Sequence, residues 1–298
     1  MKISNTDSNE KKVTVFGLGL MGSGIARAFI ANGYSVTVWN RDVTKAASLL
    51  SRGAVLAKDP NEAIVASPLL VICVSDYKVT HKIFSSADVT LLKDRTIIQL
   101  SSGTPKEARS FDGWIQKLGG SALNGDILAW PAQIGSSEAT ITISGSKSVF
   151  EKSAAALKAL GGTVEFVGEE SGASAVMFSA TMAYLAGSWI GFTHGALIME
   201  SEGMRADTFG NLAAGMSSLL AADSIHMGEA IQQGKFGDPE STIHTTALDL
   251  HLLVQHSKEA GISAMLPTFA ANLFQLAVDA GYGKEKHAAI IKVLRHPE

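Results

Sequence analysis

The sequence of 298 residues predicts an α/β fold in which an N-terminal doubly wound domain is joined by a long inter-domain helix to an all-α C-terminal domain. Three observations predict this arrangement. Short Val/Ile/Leu runs alternate with helical patterns as far as Gly168. Residues 172–199 then contain no Asp, Glu, Lys or Arg, and every later periodic segment is helical. We place the two domains at residues 1–170 and 171–298.

The composition is that of a globular protein, with 46% hydrophobic and 18% charged residues. A formal net charge of −3 without a Lys/Arg-rich tract argues against nucleic acid or an anionic membrane surface as a partner. The single cysteine, Cys73, cannot form an internal disulfide. The polar opening residues, 1–12, lack the apolar core of a secretory signal. These features favour a cytoplasmic protein.

The first structural unit is a strand at residues 13–16, a glycine-rich turn, a helix through Ala31 and a second strand at 35–39. The turn has the pattern G-x-G-x-x-G, in which the first glycine permits the tight turn, the second allows a pyrophosphate to approach the backbone and the third allows close helix packing. The free N–H groups of the helix N-terminus favour phosphate. The sequence therefore predicts a dinucleotide-binding Rossmann domain. Its phosphate loop comprises Gly17, Leu18, Gly19, Leu20, Met21 and Gly22.

The residues after the second strand predict which dinucleotide binds. NAD enzymes usually place Asp or Glu there to hold the ribose 2′-hydroxyl. Here Asn40 and Arg41 occupy that place, with Lys45 one turn later, and a guanidinium can pair with a 2′-phosphate. Asp42 is read as the N-cap of the next helix. The predicted cofactor is NADPH.

Two further apolar strands, at 69–74 and 96–100, end in small polar residues. Ligands gather at the carboxyl ends of strands in an open α/β sheet, so these residues are candidates to line the cofactor, although serines there also serve as plain turn and cap residues. The candidates are Val74, Ser75, Ser101 and Ser102. Strands at 139–144 and 163–167, with a helix at 149–160 between them, are expected to complete the sheet.

The second half predicts helices at 206–233, 242–260 and 266–280, and a short one ending at Arg295. His244 and His251 are seven residues apart, whereas helical metal sites prefer a spacing of four, so we expect no metal.

The apolar segment 172–199 is long enough to span a membrane. Its glutamate-rich flanks, without a basic cluster, and its many small residues instead favour a buried helix packed against protein. Because such a helix needs more cover than the small bundle offers, we expect a homodimer.

The segment VFGLGLMGSGIARAFIANGYSVTVWNRD resembles the cofactor half of the β-hydroxyacid dehydrogenase superfamily. Five further segments are LSSGTPKEAR, ILAWPAQIGSSEATITISG, GFTHGAL, STIHTTALDLHLLVQHSKEAGISAMLP and GYGKEKHAAIIKVLR. Within that superfamily, they resemble the imine reductase and reductive aminase family. The resemblance implies a dimer with interlocked helical domains. It also implies NADPH bound between the Rossmann domain and the partner's helices, with hydride transfer to the C=N bond of an imine.

The sequence departs from its relatives at Phe178. Dehydrogenases of the superfamily place a lysine six residues after the glycine that opens the long helix, which is Gly172 here, and many imine reductases place Asp or Tyr there. Phenylalanine has no proton to give. A preformed iminium needs none, because hydride addition leaves a neutral amine. Thr181 shares the helix face of Phe178, as does Ser174, whereas Tyr184 lies about 120° round the helix.

The resemblance also implies an apolar substrate pocket, which favours a cyclic or hydrophobic imine. Its residues would be Ser102, Ile127, Leu128 and Met182 from one subunit, with Met216, Thr245 and Thr246 from the other. Ordinary core packing is the alternative for the helical residues among them. Two other functions stay open: a carbonyl reductase of the hydroxyacid or semialdehyde type, and a non-catalytic NADPH-binding protein.

Overall fold

The computed structural model describes residues 11–295. The interpretation of the polar N-terminal segment falls mainly on residues 1–10, which lie outside the described residues. The chain forms two compact units, unit 1 up to Met182 and unit 2 from Ala183 onward. Unit 1 contains the sheet and unit 2 is helical, so the predicted fold class is confirmed. The predicted boundary at residue 170 stays a prediction.

Unit 1 is built on one sheet of eight strands in the order β3-β2-β1-β4-β5-β6-β7-β8. The strands are β1 (Lys12–Phe16), β2 (Ser35–Trp39), β3 (Val55–Leu56), β4 (Leu69–Ile72), β5 (Thr96–Gln99), β6 (Ser121–Leu128), β7 (Thr140–Gly145) and β8 (Thr163–Gly168). All neighbours pair in parallel except β6 and β7, which are antiparallel. The carboxyl ends of β1, β4, β5 and β6 therefore share one edge.

Helices cover both faces of this sheet. They are α1 (Leu20–Ala31), α2 (Ala47–Leu50), α3 (Pro60–Val65), α4 (Tyr77–Ser85), α5 (Pro105–Lys117) and α6 (Lys147–Lys158). One core lies under α1 and α6 and includes Phe29 and Leu157; the other lies under α3, α4 and α5 and includes Phe84 and Phe111. Covering both faces is what allows parallel strands to be apolar throughout.

The remaining helices begin with α7 (Ala173–Ser201), whose first residues belong to unit 1. Unit 2 continues with α8 (Ala206–Gly215), α9 (Ser217–Gln233), α10 (Ile243–Glu259), α11 (Met265–Ala277) and α12 (Ile291–Leu294). A π-helical turn, Val278–Tyr282, extends α11, and a 3₁₀ turn, His287–Ile290, precedes α12. The core of unit 2 is small and centres on Ile243, Phe236 and Ala277.

The structure differs from the sequence prediction in three elements. The helix expected at 206–233 is two helices that meet at Met216, directly after the weak helix former Gly215. Strand β3 consists of two residues, too few for a periodic pattern. Strand β6 was not predicted because Asn124, Gly125 and Asp126 are typical of turns; pairing with β5 and β7 on both sides overrides that local preference.

The single chain leaves α7 largely uncovered, in line with the expectation that this helix needs more cover than the helical bundle offers. Only 6% of its most apolar 18-residue window is buried, and side chains such as Trp189 and Ile190 are exposed. Among residues 11–295, α7 alone is long and apolar enough, by length and composition, to cross a membrane. Burial of α7 by a second copy of the chain stays a prediction.

Candidate active site

The glycine turn between β1 and α1 has the geometry that its pattern predicts. Gly17 has a φ of +93°, and a Cβ there would lie 2.2 Å from the carbonyl oxygen of Cys73. A Cβ on Gly22 would lie 2.0 Å from the oxygen of Gly17. The Gly17 N–H also donates to the carbonyl of Trp39 at 2.9 Å. Only glycine fits at these two positions, because any side chain would collide with backbone.

Gly19 differs, because a Cβ there would meet no atom within 4 Å. It is the N-cap of α1 and no side chain caps it, so the helix N-terminus presents free N–H groups to this open space. The space belongs to a cleft of about 570 Å³. The residues present therefore fit the pyrophosphate of a dinucleotide. The cleft is lined by Leu18, Gly19, Leu20, Ser23, Arg27, Lys45, Ser48, Pro131 and Ala132.

Arg27 is a cleft residue that the sequence analysis missed. It lies on α1 four residues after Ser23, on the same helix face, and brings a second cation beside Lys45. The four-residue spacing of Ser23 and Arg27 on the helix after the glycine turn could have identified Arg27 from the sequence. Met21 is partly buried against the core under α1, so its side chain packs and does not line the cleft.

The residues after β2 perform different tasks. Asn40 Oδ1 accepts a hydrogen bond from Leu18 N–H at 3.0 Å, so Asn40 braces the phosphate loop. Asp42 accepts from Thr44 N–H and caps a 3₁₀ turn, as predicted, and this hydrogen bonding lowers its pKa. Arg41 and Lys45 are exposed, and neither forms an ion pair with another described residue. Asn40 therefore stands where an NAD enzyme usually has the Asp or Glu that holds the ribose 2′-hydroxyl.

The ends of β4 and β5 are tied together through Ser101. Its hydroxyl accepts from Val74 N–H at 3.0 Å, while its own N–H donates to Gln99 Oε1 at 3.0 Å. Ser101 is buried and acts as a brace between the strand ends. Ser75 and Ser102 are exposed at the same edge and are available to a ligand.

A carboxyl group that the sequence analysis did not single out lies near the end of β6. Asp126 is only 6% exposed. Burial raises its pKa to about 6, opposed by a hydrogen bond from Ser174. Ser174, which we expected to share the face of Phe178, is itself fully buried, with its hydroxyl 3.0 Å from that of Ser144. A lone Asp in a turn-like sequence gives no signal of this environment.

The structure places the predicted catalytic and pocket residues in both units. Phe178, Thr181, Met182, Ile127 and Leu128 belong to unit 1, and all except the exposed Met182 are half-buried. The others belong to unit 2: Tyr184, Met216, Thr245 and Thr246.

The unit 2 candidates have different surroundings. The ring of Tyr184 is exposed, as is Met216. Thr245 Oγ1 lies 2.9 Å from Oγ1 of Thr242, the N-cap of α10. Thr246 Oγ1 lies 2.8 Å from His287 Nε2. The hydroxyls of both threonines therefore have partners within their own unit.

Metal ligation has no candidate in the described part of the chain. No group of three His, Cys, Asp or Glu side chains between residues 11 and 295 is arranged to hold an ion.

Comparison with known families divides the chain in two. Residues 12–168 match the NAD-binding domain of 6-phosphogluconate dehydrogenase, and residues 170–296 match the C-terminal domain of the NADPH-dependent reductive aminase-like family. A reductive aminase from Aspergillus oryzae, described as NADPH-dependent, is 27% identical, with 96% of this chain and 97% of the relative aligned.

Two solved structures are similar over almost the whole chain. An imine reductase from Myxococcus stipitatus in complex with NADP⁺ has a TM-score of 0.90 at 29% identity, covering 95% of this chain and 99% of that one. A reductive aminase from Aspergillus terreus in complex with NADPH and ethyl levulinate has a TM-score of 0.91 at 30% identity, with the same coverage of 95% and 99%.

The glycine turn and its open cleft, at the carboxyl edge of the sheet, are those of a dinucleotide-binding domain, and the similar proteins are NADPH-dependent reductases. With both halves matched, the chain belongs to the imine reductase and reductive aminase family of the β-hydroxyacid dehydrogenase superfamily. The predicted family is confirmed.

Proposed function

We propose that the protein is an NADPH-dependent imine reductase, which reduces the C=N bond of an imine or iminium to an amine. The observation that carries this proposal is the match of residues 170–296 to the reductive aminase-like domain. The cofactor domain is common to enzymes of many substrates, so the helical half must distinguish them. The similar structures contain NADP⁺ or NADPH, which supports NADPH as the cofactor.

The proposed cofactor site uses unit 1. The loop Gly17–Gly22 would hold the pyrophosphate at the N-terminus of α1. Arg41, with Lys45 and Arg27, would pair with the 2′-phosphate, while Asn40 keeps the loop in place. On the same edge of the sheet, at the ends of β4 and β5, exposed Ser75 and Ser102 would contact the nicotinamide half, positioned by the brace described above. Val74 and Ser101 form that brace.

The proposed substrate pocket has an apolar wall. When bound, NADPH supplies the hydride. Phe178 would present a ring without an acidic proton to the reacting carbon, which suits an iminium because the substrate already carries the positive charge. Thr181, on the same helix face, and Tyr184 stay candidates to orient the substrate nitrogen. Ile127, Leu128, Met182, Met216, Thr245 and Thr246 would complete the lining.

We further propose that the active species is a homodimer. Unit 2 and α7 expose large apolar side chains, including Leu212, Leu248, Leu252 and Phe269, which a second copy would cover. Protein rather than lipid would cover α7, because α7 is dense in Gly, Ala and Ser and has glutamates without a basic cluster at its ends. A cytoplasmic location fits the single cysteine.

A parallel assay tests the function. NADPH consumption is measured with a small cyclic imine, with a ketone plus an amine, and with a semialdehyde or β-hydroxyacid. We expect turnover of the imine, and turnover of the ketone-amine pair if the amine condenses first. Reduction of the carbonyl compounds without an amine would favour a carbonyl reductase. Tight NADPH binding without any turnover would favour a non-catalytic protein.

A further inference from the structure

A cluster of buried polar side chains lies where β6 and β7 meet the first turn of α7. Its members, which we call the β6 polar cluster, are Tyr77, Asn124, Asp126, Thr142, Ser144 and Ser174. Alternation along β6 places Asn124 and Asp126 on the same face as Ala122, which belongs to the core under α4 and α5. In the antiparallel register, Thr142 lies opposite Asp126. The cluster therefore occupies a place where the rest of that face is apolar.

Some cluster members are paired and others are not. The Tyr77 hydroxyl donates to Asn124 Oδ1 at 2.9 Å, and Ser144 connects to Ser174 at 3.0 Å. Asn124 Nδ2 and Thr142 Oγ1 are buried and have no partner among the described residues. An unsatisfied buried group costs about 1–3 kcal/mol. Such atoms are normally satisfied by ordered water or by polar atoms of a ligand, so the cluster is suited to contact one or the other.

Asp126 stands at the boundary between this cluster and the proposed substrate pocket. It is the last buried residue of β6, and the next two, Ile127 and Leu128, are partly exposed pocket candidates. Ser174, whose side chain lowers the pKa of Asp126, lies one turn before Phe178 on the same face of α7. The carboxyl end of β6, a strand parallel to β5, is also where ligands gather in such a sheet.

The charges around Asp126 leave its carboxyl without a cationic partner. From α4 it faces Tyr77, whose pKa is raised by burial and then by the charges of Asp126 and Glu107. From β7, Thr142 lies opposite it in the sheet register, and from α7 the Ser174 side chain lowers its pKa. Asp112 of α5 is engaged by Ser171. Among the described residues no Lys, Arg or His affects its pKa, so burial favours the protonated acid and Ser174 alone favours the anion.

We propose that Asp126 is the proton donor that protonates the imine nitrogen, directly or through one water. The proposal rests on the proposed imine reduction. The carboxyl O–H bond breaks and an N–H bond forms, which converts a neutral imine into an iminium and leaves a carboxylate. Ser174 stabilises that carboxylate by its hydrogen bond, and the carboxylate regains a proton from solvent. Asp126 thus supplies the proton that Phe178 cannot. Its pKa of about 6 lies in the range a general acid needs near neutral pH.

Kinetics on two substrates test this role. Wild type, Asp126→Asn, Ser174→Ala and the control Asp112→Asn are compared with a weakly basic cyclic imine and with its permanently charged N-methyl iminium, at saturating NADPH. A general acid contributes about 100-fold to 10,000-fold. At pH values above the imine's own pKa, Asp126→Asn should therefore lower kcat for the imine by about 100-fold or more. The kcat for the iminium should stay nearly unchanged. Asp112→Asn should alter neither rate, because Asp112 lies outside the β6 polar cluster. It is a matched control because its carboxylate also accepts a hydrogen bond from a serine, Ser171.

Ser174→Ala provides a signature that a merely structural role would not give. Removing the hydrogen bond that stabilises the carboxylate should raise the pKa of Asp126 and extend imine turnover to higher pH. An independent measurement uses the protein without cofactor or substrate. Infrared difference spectra should show the carbonyl stretch of a protonated carboxylic acid that titrates near pH 6, absent from Asp126→Asn.

The outcomes separate the two proposals. If wild type reduces both substrates and Asp126→Asn keeps the wild-type pH profile with the imine, the role of Asp126 is overturned and imine reduction stands. If Asp126→Asn does not fold, two other results would overturn the role of Asp126. These are a Ser174→Ala pH profile equal to that of wild type, and the absence of the infrared band from wild type. If wild type reduces neither substrate, the proposed function fails, and the role of Asp126 fails with it.

Discussion

Unit 1 and unit 2 differ in how well each buries its own apolar side chains. In unit 1 the large aromatic residues Phe16, Phe29, Phe84 and Phe111 are completely buried. In unit 2 comparable side chains are largely exposed, with Leu252 at 64% the example. A sheet covered on both faces forms its core within one chain, whereas these helices leave apolar faces without cover. Unit 1 therefore buries its large apolar side chains within one chain, whereas the exposed side chains of unit 2 support the proposed homodimer.

The candidate site follows the same division. The groups that would hold the dinucleotide have their hydrogen-bond partners within unit 1, as the Asn40 contact with Leu18 shows. The candidate substrate residues are distributed over both units. We therefore expect cofactor affinity to depend mainly on unit 1 and turnover to depend on assembly.

The largest effect is expected from a charge in the exposed face of unit 2. Wild type should have twice the chain mass of 31.2 kDa by light scattering. Leu252→Asp should give a monomer of low stability, because burying an unpaired carboxylate in an apolar interface costs several kcal/mol. The control is Val55→Asp in unit 1, at a side chain of 58% exposure. It should change stability by less than about 0.5 kcal/mol. A monomeric, active wild type would contradict the comparison.

The next effect is expected from Asp126 and concerns the stability of unit 1. Its folded pKa of about 6 exceeds the ordinary 3.8, so the folded state holds the proton more tightly than the unfolded state. Stability should therefore fall as pH rises from about 4 to about 6 and stay level above that. The penalty at neutral pH is on the order of 3 kcal/mol.

Asp126→Asn should remove this penalty. The variant should match wild type near pH 4 and exceed it above pH 6, measured by urea unfolding at one protein concentration. An acid retained at such a cost fits the proposed proton donor, since stability is often sacrificed at functional sites. Equal pH dependence in both proteins would show that Asp126 titrates normally.

Local patterns predicted the parts of this molecule that depend on neighbouring residues in the chain. The turn at Gly17 and the cap at Asp42 follow from short-range sterics and hydrogen bonds, and the structure has both. The bracing role of Asn40 depends on a loop 22 residues away, so the motif alone could not reveal it.

The site at β6 shows the limit of sequence interpretation. Asn124, Gly125 and Asp126 prefer turns locally. They form a strand because Asn124 pairs with both β5 and β7, while Gly125 and Asp126 pair with β7. The raised pKa of Asp126 depends on burial in the folded chain, and the opposing effect comes from Ser174, 48 residues later. Non-local burial leaves no trace in a single sequence. The apolar pattern of α7 likewise predicts that the helix needs cover, but its periodicity does not encode which molecule provides that cover.

A smaller effect is expected from Arg41, and it tests whether unit 1 alone selects the cofactor. A charge-assisted hydrogen bond to the 2′-phosphate contributes about 1.5 to 3 kcal/mol. Arg41→Ala should weaken NADPH binding about tenfold to a hundredfold and leave NADH binding nearly unchanged, measured by fluorescence titration. Arg52→Ala, at another exposed arginine of unit 1, is the control and should change neither Kd. Equal losses for both cofactors would remove the assignment.

The smallest effect is expected from Thr246. Its hydroxyl could either stabilise unit 2 or contact the substrate, and one substitution distinguishes the two roles. Thr246 Oγ1 lies 2.8 Å from His287 Nε2, and the His287 ring packs 5.9 Å from that of Phe274, all within unit 2. Thr246→Val keeps the methyl group that would line the pocket and removes only the hydrogen bond, so unfolding free energy should fall by about 1 kcal/mol. The KM for the imine should change less than about twofold, because apolar contact is retained. Thr245→Val, at an exposed hydroxyl, should cost less. A raised KM at unchanged stability would instead mean that the Thr246 hydroxyl serves the substrate and that His287 has another partner in the assembled enzyme.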